Sequence, residues 1–210
     1  TTKRLYFGVP VGASKYWIDI DSWEAVQARI DENQYRETPC YLSLDLSQKN
    51  DLTALGAVWL PEDGKMRAKV WYWRPDYAVA DASAADGAQY LEWKEDGYLN
   101  LVPGRAIEYE YVAAKVQELC TQHDVRALAF DPAHISEFRK ACDRIGFQTY
   151  IYKPDEPRGS GLKMIVHSQG RQGMHSKQAL WMPRSLVQLE DAILRQTILI
   201  DNSPITHWCS

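Results

Sequence analysis

The chain has 210 residues, 45% of them hydrophobic and 25% charged, which is enough for one domain with a sizeable core, alone or with an arm. The formal net charge of -4 argues against a uniformly basic nucleic-acid binder, because affinity for DNA comes mostly from neutralised phosphates. Four widely spaced cysteines without a CxxC pair argue against a zinc site or a disulfide framework. No apolar run reaches the roughly 20 residues that span a membrane, so we expect a soluble intracellular protein.

The first 38 residues are mixed in character and contain no GxxxxGK[ST] phosphate loop, which argues against an ATPase motor in this chain. Residues 6–11 fit a short strand. Asp21 or Ser22 is available as the N-cap of a helix that continues to Ile30. We therefore expect an arm, and then a separate main domain.

A hairpin opens the main domain and holds the most informative residue. Residues 40–46 form a strand-like apolar run, and residues 52–60 return as a second, β-branched run. Asp45 lies within the first run, where a charge should be excluded. An unpaired carboxylate on a central strand costs several kcal/mol in rough terms, so it normally has a hydrogen-bond network, a cationic partner or a metal ion. The pattern predicts a site at Asp45.

Strands and helices then alternate. The run VRALAFD predicts a buried strand, which is parallel to the first strand if a helix connects the two. It ends at Asp131-Pro132, so Asp131 lies at a carboxyl end, where α/β sheets usually hold their ligands. The elements predicted around it are a strand at 66–73, a short helix at about 84–94, a helix at 108–122, the strand itself at 125–131, a helix at 135–145 and a strand at 147–152.

The segment after residue 152 is rich in glycine and basic residues, with six Lys or Arg and two acids between Lys153 and Arg184. Its composition favours a solvated, flexible loop over residues 153–173. Pro183 suits the first turn of a last helix, and residues 198–200 fit an edge strand.

One stretch resembles a known family. The segment LDLSQKNDLTAL, residues 44–55, looks like the first catalytic strand of the nuclease domain of phage terminase large subunits, in the group whose motif reads DLS followed by DLTA. Several further segments agree in order, and the series of three strands, helix, strand, helix and strand is that of an RNase H-like fold. These segments are Tyr90-Leu91-Glu92-Trp93, Gly97-Tyr98-Leu99, Val102-Pro103-Gly104, Phe130-Asp131-Pro132, Gln169-Gly170, Pro204 and His207-Trp208.

The resemblance implies an α/β protein with an RNase H-like mixed central sheet flanked by helices, and an endodeoxyribonuclease that uses two Mg²⁺ or Mn²⁺ ions. In such a site Asp45 would bridge both ions and Asp131 would bind one, since hard ions favour carboxylate oxygens. The family carries a third metal-binding Asp after the region that resembles residues 205–208, and this sequence stops before it. We therefore expect the domain to be truncated at its C terminus, and the fragment to be weak or inactive.

Other residues are candidates for supporting roles. Asp51 suits turn-capping at least as well as metal binding, and His134 could line the site or simply begin the next helix. Asp45 and Asp131 themselves have a structural alternative, in which one caps a turn and the other belongs to a strand-ending turn. The basic residues that could contact DNA phosphates without reading sequence are Lys153, Arg158, Lys163 and Arg171.

Two further functions compete with the nuclease. One is a non-catalytic RNase H-like scaffold or DNA-binding module. The other is an actin-like phosphate-binding fold, which needs a Gly-rich turn that Ser47-Gln48-Lys49-Asn50 lacks.

The nuclease interpretation has consequences for the whole protein. Residues 1–38 would be the linker or arm from a missing ATPase domain, and residues 39–210 the nuclease. Its partners would be double-stranded DNA, that ATPase domain, a small terminase subunit and a portal protein, without a membrane. The expected location is the cytoplasm of an infected bacterial host.

Overall fold

The computed structural model describes residues 17–47, 51–77, 79–169 and 180–209. Within them, strands and helices alternate around one sheet. The helices are α1 (Ile20–Glu24), α2 (Val79–Asp86), α3 (Tyr90–Glu95), α4 (Tyr109–Gln122), α5 (Ile135–Arg144), α6 (Met182–Leu194) and α7 (Pro204–Cys209), with a 3₁₀ turn at Glu32–Tyr35. The strands are β1 (Gln27–Ala28), β2 (Pro39–Asp45), β3 (Thr53–Trp59), β4 (Met66–Pro75), β5 (Leu99–Val102), β6 (Asp124–Phe130), β7 (Thr149–Ile151), β8 (Leu162–Ser168), β9 (Leu180–Trp181) and β10 (Ile198–Asp201).

The sheet is mixed, and its strand order is β1-β10-β4-β3-β2-β6-β8-β7, with β5 beside β4 and β9 beside β8. Strand β3 is antiparallel to both of its neighbours, whereas the other neighbouring strands pair in parallel. Strands β2, β4, β5, β6 and β8 therefore run in one direction, and their carboxyl ends share one edge of the sheet. We call this edge the carboxyl edge.

The predicted hairpin is confirmed as β2 and β3, with Asp45 opposite Ala54. Buried and exposed side chains alternate along β2, as they do in a strand with one face against a core. Leu42 and Leu44 are buried, and Ser43 and Asp45 are exposed. Asp45 is thus not enclosed in the core. It lies on the other face of the sheet, at the end of its strand.

The core packs against the face that carries Leu42 and Leu44. Helix α4 places Val112 and Val116, both fully buried, in the same cluster as these leucines, and α5 adds Phe138. The predicted helix, strand and helix of this region are confirmed as α4, β6 and α5. Strand β6 pairs in parallel with β2, as a helical connection requires.

The expectation of a loop over residues 153–173 is wrong for residues 162–168, which form strand β8. This strand lies between β6 and β7, with Leu128 opposite Met164 on one side and Ile151 opposite Met164 on the other. Leu162 and Met164 are buried in the core, so burial outweighs the glycine-rich and basic surroundings that suggested a loop. The predicted strand at 147–152 is therefore a neighbour of β8 and not of β6.

The beginning and end of the chain also differ from expectation. Helix α1 is short and ends at Glu24, and its N-cap is Asp19, whose carboxylate accepts from the Ser22 amide at 2.9 Å. The predicted strand at 198–200 is β10, but it is not an edge strand, because it pairs with β4 and β1. The short helix predicted at 84–94 is two helices, α2 and α3. The predicted strand at residues 6–11 lies outside the described residues.

No helix in the described part of the chain is both long and apolar enough to cross a membrane.

Candidate active site

Asp45 and Asp131 meet at the carboxyl edge. Strands β2 and β6 run in parallel with Leu44 opposite Phe130 as their last pair, so the next residue of each strand is an aspartate. Since side chains alternate between faces, both aspartates lie on the face opposite to the buried Leu44 and Phe130. The structure thus brings together the two residues on which the predicted site depends. Asp45 is exposed and Asp131 is half-buried, so both are open to a ligand from solvent.

The charges at this edge repel one another. Partial desolvation by the surrounding protein raises the pKa of the Asp45 carboxyl, and the negative charges of Asp131 and Asp51 raise it further. No cation is among the groups that shift this pKa. A divalent cation would relieve this repulsion, which makes the arrangement suited to binding one.

Asp131 also has the structural role that its sequence suggested as an alternative. Its Oδ1 accepts a hydrogen bond from the Ala133 amide at 2.8 Å and so closes the turn that ends β6. An ionised carboxylate has about four acceptor positions on its two oxygens, so one amide leaves Asp131 able to bind a cation. The hydrogen bond holds the carboxylate in place at the end of the strand.

Asp51 precedes β3, on the other side of Asp45 from Asp131. Its Oδ1 accepts from the Leu52 amide at 3.0 Å, and its main-chain oxygen accepts from the Ser47 hydroxyl at 2.9 Å. These bonds fit the turn-capping role, and they leave the negative charge near Asp45. The hydrogen bonds confirm the turn-capping role of Asp51, and its part in metal binding stays a prediction.

His134 is the N-cap residue of α5 and has a left-handed backbone with φ of 56°. Its side chain makes no capping hydrogen bond, and the residue is half-buried. This backbone is uncommon for a residue other than glycine, so a local turn requirement explains the position at least in part. The expectation that His134 lines the site stays a prediction.

His167 lies beside the candidate site, a position that the sequence did not reveal. Phe130 pairs with Val166, so the following residues, Asp131 and His167, end neighbouring parallel strands on the same face. The imidazole Nε2 lies 2.9 Å from the Ser185 hydroxyl on α6. Burial lowers the pKa of His167, and the nearby Asp131 charge partly opposes that shift. The sequence does not single out His167, because its composition predicts a loop where the structure has β8.

The donor set fits a divalent ion in part. Two carboxylates on neighbouring strands offer oxygen ligands, which Mg²⁺ and Mn²⁺ prefer. In the described ranges, no group of three or more His, Cys, Asp or Glu side chains is arranged to hold a metal ion. Asp201 makes a hydrogen bond elsewhere, because its Oδ1 accepts from the Ile30 amide at 2.8 Å. The described residues thus supply two ligands for a site that needs more.

The predicted DNA-contact residues all follow β7 in the sequence. Lys153 and Arg158 are exposed, and the Lys153 ammonium lies 3.5 Å from the Glu156 carboxylate. Lys163 is on β8, where its ammonium lies 4.2 Å from the centre of the Tyr152 ring. Arg171 lies outside the described residues. Contact of any of these residues with DNA stays a prediction.

Comparison with known proteins identifies the family. The family model of the terminase large subunit endonuclease domain matches residues 3–153. The chain belongs to this family. It is also 32% identical over 142 residues to the terminase large subunit of Enterobacteria phage HK97, an alignment that covers 64% of this chain and 28% of that protein.

The crystal structure of the HK97 large terminase has the same fold. It aligns with a TM-score of 0.72 and 26% identity, over 91% of this chain and 35% of that one. The predicted fold, an RNase H-like mixed sheet flanked by helices, is confirmed. The chain thus spans about a third or less of the length of these relatives.

Proposed function

We propose that this chain is a metal-dependent endonuclease domain that cuts double-stranded DNA by two-metal hydrolysis. One observation carries the proposal: Asp45 and Asp131 end adjacent parallel strands at an open edge, on one face. Membership of the terminase endonuclease family supports the same reaction class.

Asp45 and Asp131 would hold the metal ions with their carboxylate oxygens, and Asp51 would add negative charge beside them. When bound, such ions stabilise the charge that develops on the attacking and leaving oxygens of a phosphodiester. The chain's own contribution is to fix the carboxylates before the metal arrives. The Asp131 bond to the Ala133 amide and the Leu44–Phe130 register both serve this purpose.

The test compares the parent chain with Asp45→Asn. Titration calorimetry with Mn²⁺ should show binding to the parent, weakened at least about 100-fold in the variant because a bridging ligand is lost. Cleavage of a supercoiled plasmid, if the fragment is active, should depend on Mn²⁺ or Mg²⁺ and be lost in the variant. Asp191→Asn is the matched control, because Asp191 pairs with Arg195 just after α6 and is not among the groups that shift the pKa of Asp45.

Efficient metal-dependent cutting that survives Asp45→Asn would contradict the assignment. Failure of both this chain and the full-length protein to bind metal would favour the alternative of a non-catalytic RNase H-like scaffold or DNA-binding module. The actin-like alternative is wrong, since the chain belongs to the terminase family.

The proposal extends to the whole protein. Joined to an ATPase domain, the nuclease would cut concatemeric viral DNA during genome packaging, in the cytoplasm of an infected bacterium. A small terminase subunit and a portal protein would be the partners of the full assembly. Co-purification of the full-length protein with each of these partners tests this extension.

A further inference from the structure

Two loops project beyond the carboxyl edge on the side of β4 and β5. Both strands run parallel to β2, so the loops that follow them leave the sheet on the same side as Asp45 and Asp131. Strand β4 is two strands away from β2, and β5 lies one strand further out, a lateral distance from β2 of about 14 Å at the usual strand spacing. The loops therefore flank the candidate active site.

Hydrogen bonds join the two loops to each other. The Asp76 amide donates to the Val102 oxygen at 2.8 Å, and the Tyr77 amide donates to the Gly104 oxygen at 3.2 Å. In return the Gly104 amide donates to the Asp76 carboxylate at 2.9 Å. Gly104 has a φ of 105°, which strongly favours glycine, so a substitution there would strain the loop.

The two hydrogen-bonded loops carry an arginine that is stacked on an exposed tyrosine. The Arg105 guanidinium lies 3.9 Å from the centre of the Tyr77 ring, and Tyr77 is 53% exposed. Arg105 is exposed as well. Stacking on a ring orients the planar guanidinium while its N–H donors remain available for other partners.

Arg105 differs in its charge balance from two other exposed arginines. Arg126 is paired with Asp124, and Arg144 with Glu110. In the described ranges, no carboxylate lies within 4.0 Å of the Arg105 guanidinium. Among the described residues, the Arg105 guanidinium is therefore stacked on Tyr77 and has no carboxylate in ion-pair contact.

We propose that Arg105, oriented by Tyr77, binds the sugar-phosphate backbone of DNA beside the active site. This inference rests on the proposed function, because the occupant is the nuclease's own substrate. At 3.4 Å of helix axis per nucleotide, the lateral offset places the contact about four nucleotides from the phosphate at Asp45 and Asp131. Such a contact positions the duplex and reads no sequence.

The experiment measures binding of a short fluorescent DNA duplex by anisotropy in EDTA, where metal-dependent cleavage cannot interfere. Arg105→Ala should weaken binding about 3-fold to 10-fold and lower the slope of log K against log salt by about one. Tyr77→Ala should weaken binding in the same direction, because it releases the guanidinium. Arg105→Lys keeps the charge without the planar stack, and should fall between the parent and Arg105→Ala.

Arg126→Ala is the matched control, since Arg126 is exposed but paired, and lies near the start of β6 at the opposite edge. It should leave both affinity and salt slope unchanged. Equal effects of Arg105→Ala and Arg126→Ala, or no effect of either, would overturn the inference. Absence of duplex binding by the parent would overturn it too.

Different results would contradict the nuclease assignment and the proposed Arg105 contact. If Arg105→Ala binds DNA like the parent while Mn²⁺ binding still depends on Asp45, the nuclease assignment stands and the Arg105 contact is wrong. If Arg105→Ala weakens DNA binding but no metal binds, the contact stands and the chain is a DNA-binding module.

Discussion

At the scale of single residues, the candidate site contains carboxylates that repel one another. Asp45 lies near the charges of Asp131 and Asp51, and the pKa of its carboxyl is raised. The pKa of this carboxyl is higher in the folded protein than in the unfolded chain. As the pH rises through the interval between these two pKa values, the unfolded chain releases its proton more readily than the folded protein, so the folded state loses stability. The metal-free protein is thus destabilised at neutral pH by a group that its proposed function needs.

Asp45→Asn should raise the melting temperature of the metal-free protein at neutral pH, because it removes the repelled charge. The difference from the parent should shrink as the pH falls below the ordinary aspartate pKa of 3.8, because Asp45 is then protonated in both folded and unfolded states. Mn²⁺ should reverse the ranking, since at 100 times its Kd a ligand stabilises the native state by about 2.7 kcal/mol. Thermal melts in EDTA and in Mn²⁺ check this, and a destabilised metal-free variant would contradict it.

His167 should have the opposite dependence on pH. Its pKa is lowered in the folded protein, so the unfolded state takes up a proton first as the pH falls below about 6.5, and stability is lost over that interval. Urea unfolding in EDTA at pH 7.5 and pH 5.5 should show a smaller loss for His167→Gln than for the parent. The exposed Asp21→Asn change on α1 is a control that should leave the loss unaltered.

At the scale of elements, β8 decides how the second half of the sheet is built. It joins β6 to β7 and brings His167 to the carboxyl edge. Gly161 is part of the reason that the strand can begin there: its φ is +87°, and an added Cβ would lie 2.0 Å from the Gln148 oxygen. The Leu162 amide then donates to that same oxygen at 2.9 Å.

Met164→Ala should cost about 2–5 kcal/mol of unfolding free energy, because Met164 is fully buried between two strands. Val166→Ala, on the same strand but 39% exposed, should cost well under half as much and serves as the matched control. Urea denaturation measures both. Equal small effects would mean that residues 162–168 behave as the loop that their composition suggested.

At the scale of the whole molecule, the first described residues belong to the same sheet as the site. Strand β1 pairs with β10, and Trp23 of α1 packs in one cluster with Ile193 and Ile198. The Trp23 Nε1 also donates to Nδ1 of His207 on α7 at 3.1 Å. The assignment of residues 1–38 to an arm from an ATPase domain stays a prediction, but residues 17–30 should unfold together with the sheet.

Trp23→Ala should therefore cost about 3–5 kcal/mol and shift one cooperative transition, without creating a second one. Ile20→Ala, in the same helix but 54% exposed, is the control and should change stability little. Far-UV and near-UV circular dichroism during urea unfolding distinguish the two outcomes. Separate transitions for the variant would mean that this segment folds independently.

The sequence by itself determined the hairpin, the strand that ends at Asp131 and the helices on either side of that strand. These features depend on local signals: alternation with period 2, helical spacing, and a proline that ends a strand. Asp45 stood out for the same reason, as a charge within an apolar strand. The family resemblance then supplied the chemistry that these local signals could not specify.

Only the tertiary structure decided which strands became neighbours. The insertion of β8 between β6 and β7, the position of His167 beside Asp131, and the stacking of Arg105 on Tyr77 each join residues far apart in the chain. Strand pairing of this kind depends on which surfaces are buried together, and a local window of sequence does not contain that information. In β8 the energy of burying Leu162 and Met164 prevails over a local composition that favours a loop.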